Sequence, residues 1–350
     1  MMETHLKNNY IDWLPIKTGE TMLLLSERAD NLEGMWDYIV VSDAFAKVPA
    51  LISGADPYHQ FFDKIKEHLN PKGHLILAVD NRYGLQYFAG CRERLTGRYF
   101  EGLEGYENSE GVCTFSKDGV LELVKEAGFQ AVRTYYCYPN YRCLAALYTD
   151  EHLPSPGELN TSLCNFEEER VVLFDEAKVF DGLIKEGRFQ EFSNSYLFDM
   201  TLESQEKEEE LLFLKYSVER DERYRIRTEI VRKSDGTRIV RKIPYSEKSV
   251  SHVKTIKHWE EILREQYAPA GVRVNRCTLT DKGAEFEFLK GRTLEDVLDD
   301  YLDKGNFSGF IGEIKAYAET LTKLLKPEPF EAGERFKEIF GEISFDTPQM

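Results

Sequence analysis

The sequence lacks the cysteine pattern of a disulfide framework or a zinc site. Its 350 residues include six cysteines, and they stand apart at positions 91, 113, 137, 143, 164 and 277, with no CxxC pair. Scattered cysteines are typical of reduced thiols. The seven histidines show no HExxH spacing, so we expect no metal centre.

Long apolar runs are also missing. No segment approaches the roughly 18 consecutive apolar residues of a membrane helix, and the N-terminal stretch MMETHLKNNYIDW has no apolar signal core. We expect no membrane span and a cytoplasmic location. The formal net charge is -17, and a field of that sign repels phosphate, so nucleic acid is not an expected partner.

Familiar motifs for phosphate binding and nucleophilic catalysis are absent. The sequence contains no P-loop, GxGxxG or GxSxG pattern. Residues 26–35, which join the first two predicted strands, contain a single glycine, Gly34.

The first part of the chain does have a clear pattern of elements. Short buried strands are predicted at 20–25 and 36–42, and an amphipathic helix at 56–70 with Asp56 as its N-cap and Pro57 in its first turn. The turn Pro71-Lys72-Gly73 is followed by a strand at 74–80, a helix at 117–127 and a hairpin formed by 129–138 and 142–149. This order predicts a mostly parallel sheet with an antiparallel hairpin edge.

Polar residues follow two of these strands. Asp43 comes after the strand 36–42, and Asp80, Asn81 and Arg82 end the strand 74–80. Open α/β sheets bind ligands outside the carboxyl ends of their strands, so these residues predict a crevice. The alternative is that they cap the strand ends and hold the next loop by hydrogen bonds.

Aromatic residues are frequent after Arg82. Two interpretations stay open for them: they line a groove for an acceptor molecule, or they pack as a cover over the sheet edge. The set is Tyr83, Tyr87, Phe88, Tyr99, Phe100 and Tyr106.

Several segments of residues 36–150 resemble the C-terminal half of class I S-adenosylmethionine-dependent methyltransferases. The most specific is LNPKGHLILAVDNR; the others are WDYIVVSDAF, KEAGF and YYCYPNYRCLAALYTDEHLP. The resemblance implies S-adenosylmethionine as cofactor, with Asp43, Asp80, Asn81 and Arg82 at the crevice.

The insertion NRYGLQYFAGCRERLTGRYFEGLEGY resembles a subgroup found beside bacterial genes for cell-surface polysaccharides. That likeness implies a saccharide or glycan precursor as acceptor. The subgroup has an Asp-His pair where this chain has Arg94-Leu95, so two polar groups of the implied site are lost.

The cofactor-binding half of the family is not visible in this chain. The family needs a glycine-rich turn after its first strand, where the backbone lies against the adenosyl group, and an acidic residue after its second. Ten residues at 26–35 leave no room for two further strands and their helices. We therefore expect the domain to be inactive alone, and a protein partner would have to complete the site.

The second part of the chain has a different character. A loop at 151–168 and a bridging helix at 169–190 lead to strands at 195–200, 210–218, 224–232, 237–243, 272–279 and 284–289, with a helix at 247–267 and two further helical segments at 295–304 and 308–326. The turn Lys233-Ser234-Asp235-Gly236 predicts a hairpin. These features predict a second, α+β domain.

Residues 195–300 resemble the N-terminal lobe of kinase-like phosphotransferases of aminoglycosides and lipopolysaccharides. The likeness rests on the strand TRIVRKIP with Lys242, on the helix after it and on AEFEFLKGRTLEDVLDD. It implies ATP, with Lys242 at the phosphates, Glu260 or Glu261 orienting the lysine, and Glu287 in the strand that meets the adenine. No glycine-rich phosphate loop and no catalytic loop are recognisable, so phosphoryl transfer is not expected from this chain alone.

Together the patterns predict an α/β protein with an incomplete Rossmann-like methyltransferase sheet followed by a kinase-like N-lobe. The expected divisions are 1–150, a linker with a bridging helix at 151–194, and 195–350. Three functions stay open: a methyltransferase-family protein of polysaccharide synthesis that needs a partner, a non-catalytic scaffold or binding protein, and an adenine-nucleotide-binding module.

Overall fold

The computed structural model describes residues 10–26, 32–107, 109, 111–159, 170–205, 208–217, 219–324 and 331–341. The chain divides into two compact units. Unit 1 comprises Met1–Thr255 and Thr278–Phe288, and unit 2 comprises Ile256–Cys277 and Leu289–Met350.

Eleven strands form one sheet in the described part of the chain, in the order β1-β2-β3-β6-β4-β5-β7-β8-β9-β11-β10. The strands are β1 (Met22–Leu25), β2 (Trp36–Val41), β3 (Leu69–Asp80), β4 (Ala131–Tyr138), β5 (Ala146–Tyr148), β6 (Ser195–Thr201), β7 (Glu209–Tyr216), β8 (Ile226–Lys233), β9 (Arg238–Pro244), β10 (Cys277–Thr280) and β11 (Gly283–Glu287).

The helices mostly follow the predicted pattern. They are α1 (Asp43–Ala46), α2 (Val48–Leu51), α3 (Pro57–His68), α4 (Leu85–Phe88), α5 (Lys117–Glu126), α6 (Glu176–Lys185), α7 (Phe189–Phe192), α8 (Val250–Tyr267), α9 (Leu294–Asp303), α10 (Phe307–Thr322) and α11 (Ala332–Phe340). None of the described helices is long and apolar enough to cross a membrane.

Local chemistry explains where α3 begins. The Asp56 side chain accepts a hydrogen bond from the His59 backbone N–H at 3.0 Å, and Pro57 occupies the first turn, as predicted. Phe61 and Phe62 are buried on the face that packs against the sheet. The predicted turn at 71–73 lies inside β3 at an irregular register, where Leu69 pairs with Trp36 and His74 with Tyr38.

The first three strands are parallel. β1 pairs directly with β2, with Leu25 opposite Val41, and β2 pairs with β3. Among the described residues, no strand therefore lies between these two in the sheet. β4 and β5 form the predicted hairpin, with Tyr136 opposite Tyr148.

The position of β6 corrects the predicted division of the chain. β6 begins at Ser195, where the second domain was expected to begin, yet Leu197 pairs with Ala78 of β3 and with Tyr135 of β4. The predicted boundaries at 150 and 195 therefore do not separate two sheets. The strand next to β3 is β6, not part of the 129–149 hairpin.

Strand directions place the ends of the parallel strands at one edge. β6 is antiparallel to both β3 and β4, so β4 runs parallel to β3. The carboxyl ends of β1, β2, β3 and β4 therefore lie together with the amino end of β6. Both faces of this part of the sheet are buried: Ile39 and Val41 belong to one core, and Tyr38 and Val40 to a second, as alternation along a strand requires.

The predicted bridging helix is two helices. Gly187 between α6 and α7 has a φ of 69°, a left-handed conformation that glycine adopts readily at a helix end. Residues 160–169 lie outside the described residues. They comprise the second half of the predicted loop 151–168 and the first residue of the predicted helix 169–190.

Unit 2 contains the rest of α8 together with α9, α10 and α11. Thr293 Oγ1 accepts from the Asp296 backbone N–H at 3.1 Å, and Asp296 Oδ2 accepts from the Thr293 N–H at 2.9 Å. This capping box begins α9. Neither α9 nor α10, which are both fully described, contains a buried residue.

Candidate functional site

Two predicted carboxylates lie at the carboxyl edge of the parallel strands. Asp43 is the first residue of α1, two residues after β2 ends, and Asp80 is the last residue of β3. β2 and β3 are parallel neighbours, with Val41 beside Leu77. The structure therefore brings Asp43 and Asp80 to the same edge, where open α/β sheets bind ligands.

Arg142, in the turn between β4 and β5, contacts both carboxylates. Its Nη1 donates to Asp80 Oδ1 at 2.9 Å, and its Nη2 donates to Oδ2. Nη2 also lies 3.7 Å from Asp43 Oδ1. A planar guanidinium suits this two-pronged contact, and the Asp80 side chain is only 9% exposed.

Asp43 has two further partners. Arg94 Nη2 forms an ion pair with Asp43 Oδ1, and Tyr141 Oη donates to the same oxygen at 2.6 Å. Burial raises the pKa of Tyr141 well above its ordinary value, so the phenol stays a neutral donor. The Tyr141 backbone N–H donates to Ser195 Oγ at 2.7 Å, and this bond fixes the turn between β4 and β5.

We call Asp43, Asp80, Arg94, Tyr141 and Arg142 the crevice cluster. Two guanidinium groups face two carboxylates in it, so the cluster carries no net charge. Each charged group has its partner within the chain, which is the condition for burying charge at tolerable cost.

A third carboxyl lies close to the cluster. Glu93 is 3% exposed, and burial, followed by the charge of Asp80, raises its pKa to about 7. Hydrogen bonds from Tyr106 and from the Gly102 backbone act in the opposite direction. The backbone approaches so closely that a Cβ atom at residue 102 would collide with Glu93 Oε1.

Asn81 holds the loop after β3. Its Nδ2 donates to the backbone oxygens of Glu191 at 2.7 Å and Ser193 at 2.8 Å. Its Oδ1 accepts from the Tyr83 backbone N–H at 3.0 Å. These bonds tie β3 to the segment before β6.

Arg82 points toward the insertion. Its Nε donates to the Gly102 backbone oxygen at 2.6 Å, and its backbone N–H donates to the Phe115 backbone oxygen at 3.0 Å. Both contacts are of the loop-holding kind that was the alternative to a ligand role.

Among the residues that the structure describes, the free space at the crevice is very small. The cavity bordered by Ser42, Asp43, Asp80, Thr114 and Tyr141, among others, has a volume of about 10 Å³, which is at most the room for one water molecule. The residues present therefore do not fit the S-adenosylmethionine that the sequence resemblance implies. No chemical step through that cofactor follows from this arrangement.

The aromatic residues of the insertion divide between the two interpretations. Tyr87 and Tyr106 are buried, whereas Tyr83, Phe88 and Phe100 are at least 40% exposed. Tyr83 and Phe88 border an open groove of about 330 Å³. Part of the set thus covers the sheet edge, and part is available to a ligand.

The residues predicted for a nucleotide site lie in both units. Lys242 is in β9, opposite Ala284 of β11, and Glu287 is the last residue of β11, opposite Ile239. Lys242 Nζ lies 5.8 Å from the centre of the Phe286 ring. The structure therefore places Lys242 and Glu287 on neighbouring strands of unit 1.

Glu260 belongs to α8 in unit 2. It is buried, and its carboxylate forms ion pairs with Lys257 Nζ at 2.6 Å and Arg264 Nε at 3.0 Å along its own helix. The hydrogen bond from Lys257 is the main cause that lowers the pKa of Glu260.

Sequence reasoning missed three members of the site. Tyr141 was assigned to the hairpin turn, Arg142 to the first position of the second hairpin strand, and Glu93 to the insertion after Arg82. The available signal was the YPNYR sequence, in which a tyrosine and an arginine follow the predicted strand end by three and four residues. Such a position faces the same edge as Asp43 and Asp80.

Comparisons with known proteins give weak structural likeness only. No protein-family model and no curated protein matches the sequence. Among the solved structures that match, one is a SAM-dependent methyltransferase of Thermotoga maritima, with 14% identity over 50% of this chain and 61% of that chain, at a TM-score of 0.25.

Two further structures give similar values. An O-methyltransferase from a trans-AT PKS multienzyme of Brevibacillus brevis, in complex with S-adenosyl-L-homocysteine, is 13% identical over 49% of this chain and 46% of its own, at a TM-score of 0.24. A SAM-dependent methyltransferase of Methanosarcina mazei is 11% identical over 51% and 66%, at 0.23. The chain spans less than two thirds of each of these structures. About half of it is thus similar, at a low level, to SAM-dependent methyltransferases.

Proposed function

We propose that this chain is a methyltransferase-family protein of bacterial cell-surface polysaccharide synthesis that is inactive by itself. The family assignment rests on the sequence segments around β2 and β3. The inactivity rests on one observation, the crevice cluster, whose side chains leave about 10 Å³ of free space at the strand ends.

Electrostatics supports the same conclusion. The sulfonium group of S-adenosylmethionine is a cation, and Asp43 and Asp80 are the carboxylates that would attract it at this edge. Both are already neutralised by Arg94 and Arg142. Removing the guanidinium partner of a carboxylate that stays buried costs about 3–5 kcal/mol. A cofactor that displaced the arginines would lose at least a hundredfold in affinity through that cost.

A partner chain would supply what this chain lacks. Among the described residues β1 is the last strand on its side of the sheet, so an added strand would pair there. The partner would bring the glycine-rich turn and the acidic residue of the family. A saccharide acceptor would lie in the groove beside Tyr83 and Phe88, whose exposed rings offer an apolar surface.

The second candidate is an adenine-nucleotide-binding module of phosphotransferase descent, within the predicted kinase-like region 195–350. The observation in its favour is that Lys242 and Glu287 lie on the neighbouring strands β9 and β11. In the sequence, β9 precedes α8 and β11 follows it. The third, a scaffold that binds neither cofactor, shares the closed crevice with the first.

Calorimetric titration tests the closed crevice and separates the nucleotide-binding candidate from the other two. We expect no heat of binding with S-adenosylmethionine or S-adenosylhomocysteine up to 1 mM on the folded wild-type protein, with cooperative thermal unfolding as the proof of folding. Micromolar binding of either compound would refute the closed crevice. Binding of ATP with magnesium that is lost in Lys242→Met but kept in Lys215→Met, an exposed lysine on β7, would select the second candidate.

A further inference from the structure

We propose that a second groove, at the edge of the sheet opposite the crevice cluster, binds an oxyanion: the phosphate or carboxylate group of a small polar molecule. The groove has a volume of about 560 Å³ and lies between the amino end of β4, the carboxyl end of β6, the start of β7 and the turn between β8 and β9. That volume is within the usual range for small-molecule sites.

Two arginines, Arg133 and Arg232, line this groove, and a third, Arg238, is linked to them through Glu151. Arg133 and Arg232 both form ion pairs with Glu210. Arg232 also pairs with Glu151, which lies 3.8 Å from Arg133 and 3.4 Å from Arg238. We call these five residues the arginine cluster. It has three guanidinium groups and two carboxylates, so it carries one positive charge in excess.

An unused hydrogen-bond donor in the cluster points to a ligand. Arg133 Nε is buried and makes no hydrogen bond within the described part of the chain, although Arg133 borders the groove. Buried N–H groups are nearly always paired. An oxyanion that accepts from the guanidinium would satisfy the donor and also balance the excess charge.

Other polar groups of the groove suit a hydroxylated molecule. Gln130, Thr201 and Ser234 line it. Asp199, which pairs with Arg133 across β4 and β6, also lines it, with its Oδ1 2.6 Å from His74 Nδ1.

The sign of the local charge is contrary to that of the whole chain. With a net charge of -17, the protein repels anions at long range. The surplus positive charge of the arginine cluster therefore does not attract anions from a distance, and it acts only on a ligand that contacts the groove. A purely structural role for the cluster, in which the arginines only join β4 to the hairpin β8–β9, predicts that no anion binds.

The test uses the full-length protein and two probes, inorganic phosphate and malonate, titrated by calorimetry at low ionic strength. Glu151→Gln removes a carboxylate that competes with the ligand for the arginines, so it should tighten binding by roughly tenfold. Arg232→Gln should weaken it by a similar factor. Arg188→Gln, which alters an exposed arginine paired with Glu191, is the matched control and should leave binding unchanged.

A gain of affinity in Glu151→Gln cannot result from partial unfolding, which makes it the decisive measurement. Binding of phosphate alone identifies a phosphorylated ligand, binding of malonate alone identifies a carboxylate, and both results support the site. The proposal is overturned if neither probe binds the wild type or Glu151→Gln, or if Arg232→Gln binds as the wild type does. Neither result bears on the crevice cluster, which lies at the other edge.

Discussion

Arg142 and Asp80 stand 62 residues apart in the sequence and form a two-pronged ion pair at the ends of β3 and β4. The Arg142 guanidinium also lies over the Tyr141 ring, 4.4 Å from its centre. One side chain thus joins the end of the parallel strands to the hairpin turn and occupies the space where a ligand of an open α/β sheet would lie.

Replacing Arg142 with glutamine should destabilise the protein markedly. The change leaves Asp80, with a 9% exposed side chain, without its cationic partner, and the loss of one partner of a buried pair costs about 3 kcal/mol or more. Urea unfolding followed by circular dichroism measures the difference in the free energy of unfolding.

The control for that variant is Arg188→Gln. The Arg188 pair with Glu191 has a similar N–O distance of 3.0 Å, but both side chains are more than half exposed, so its loss should cost at most about 0.5 kcal/mol. Equal losses of unfolding free energy in the two variants would mean that the Arg142 pair is not shielded from water. That result would contradict the inference that the crevice is closed.

Glu93 should make stability depend on pH in a distinctive way. Burial raises its folded-state pKa to about 7, above the 4.5 of an unperturbed glutamate. The folded state therefore holds a proton that the unfolded state has released, and stability falls as the pH rises from 4.5 to 7. The span of the shift corresponds to roughly 3 kcal/mol.

The variant Glu93→Gln keeps the shape of the protonated carboxyl and has no proton to lose. It should match the wild type near pH 4.5 and exceed it in stability at pH 7.5, with the groups that face Glu93, namely Asp80, Arg142 and Tyr106, unchanged. Glu104→Gln, at an exposed position of the same segment, is the control. A difference between Glu93→Gln and wild type that stays constant with pH would contradict the raised pKa.

The local parts of the fold were predictable because their signals lie within a few residues. The N-cap Asp56 and the turn at 233–236 each formed as the sequence indicated: Gly236 has a φ of 83°, which a non-glycine residue rarely adopts. The carboxyl edge with Asp43 and Asp80 was predictable from the strand ends alone.

What the sequence did not reveal depends on distant pairing. β6 is buried along its whole length, and a short apolar run of that kind has no feature that chooses its neighbours. Only contacts across more than a hundred residues to β3 and across about 60 residues to β4 place it between these strands. The same holds for Arg142, since nothing in the turn sequence indicates that Asp80 is its partner.

Glu209 should govern part of the acid response of the antiparallel strands. The hydrogen bonds that it accepts from Arg241 and Lys282 lower its pKa to about 2, below the 4.5 of an unperturbed glutamate. As the pH falls, the unfolded state takes up a proton at a higher pH than the folded state does. The stability contributed by Glu209 is therefore present above pH 4.5 and lost as the pH falls toward 2.

Comparison of Glu209→Gln with the wild type isolates this contribution. The variant should be less stable at pH 6, and the difference should shrink as the pH is lowered to 2, as measured by thermal unfolding across that range. Glu219→Gln, which changes an exposed glutamate beside Arg220, should show no such trend. A difference that grows on acidification would have the wrong sign for a lowered pKa.

The central place of β6 predicts that β3, β4 and β6 unfold together. Leu197 has no exposed surface and pairs with both neighbours, so Leu197→Ala should cost about 3 kcal/mol. Hydrogen exchange of the β3 and β4 amides should then accelerate by roughly a hundredfold, to the same extent as exchange in β6. Leu173→Ala, at a residue that is 59% exposed, should leave exchange unchanged. Wild-type protection of the β3 and β4 amides, together with lost protection in β6, would mean that the chain divides into folding units near residue 195. Only separate folding units would limit the destabilisation to one side of that boundary.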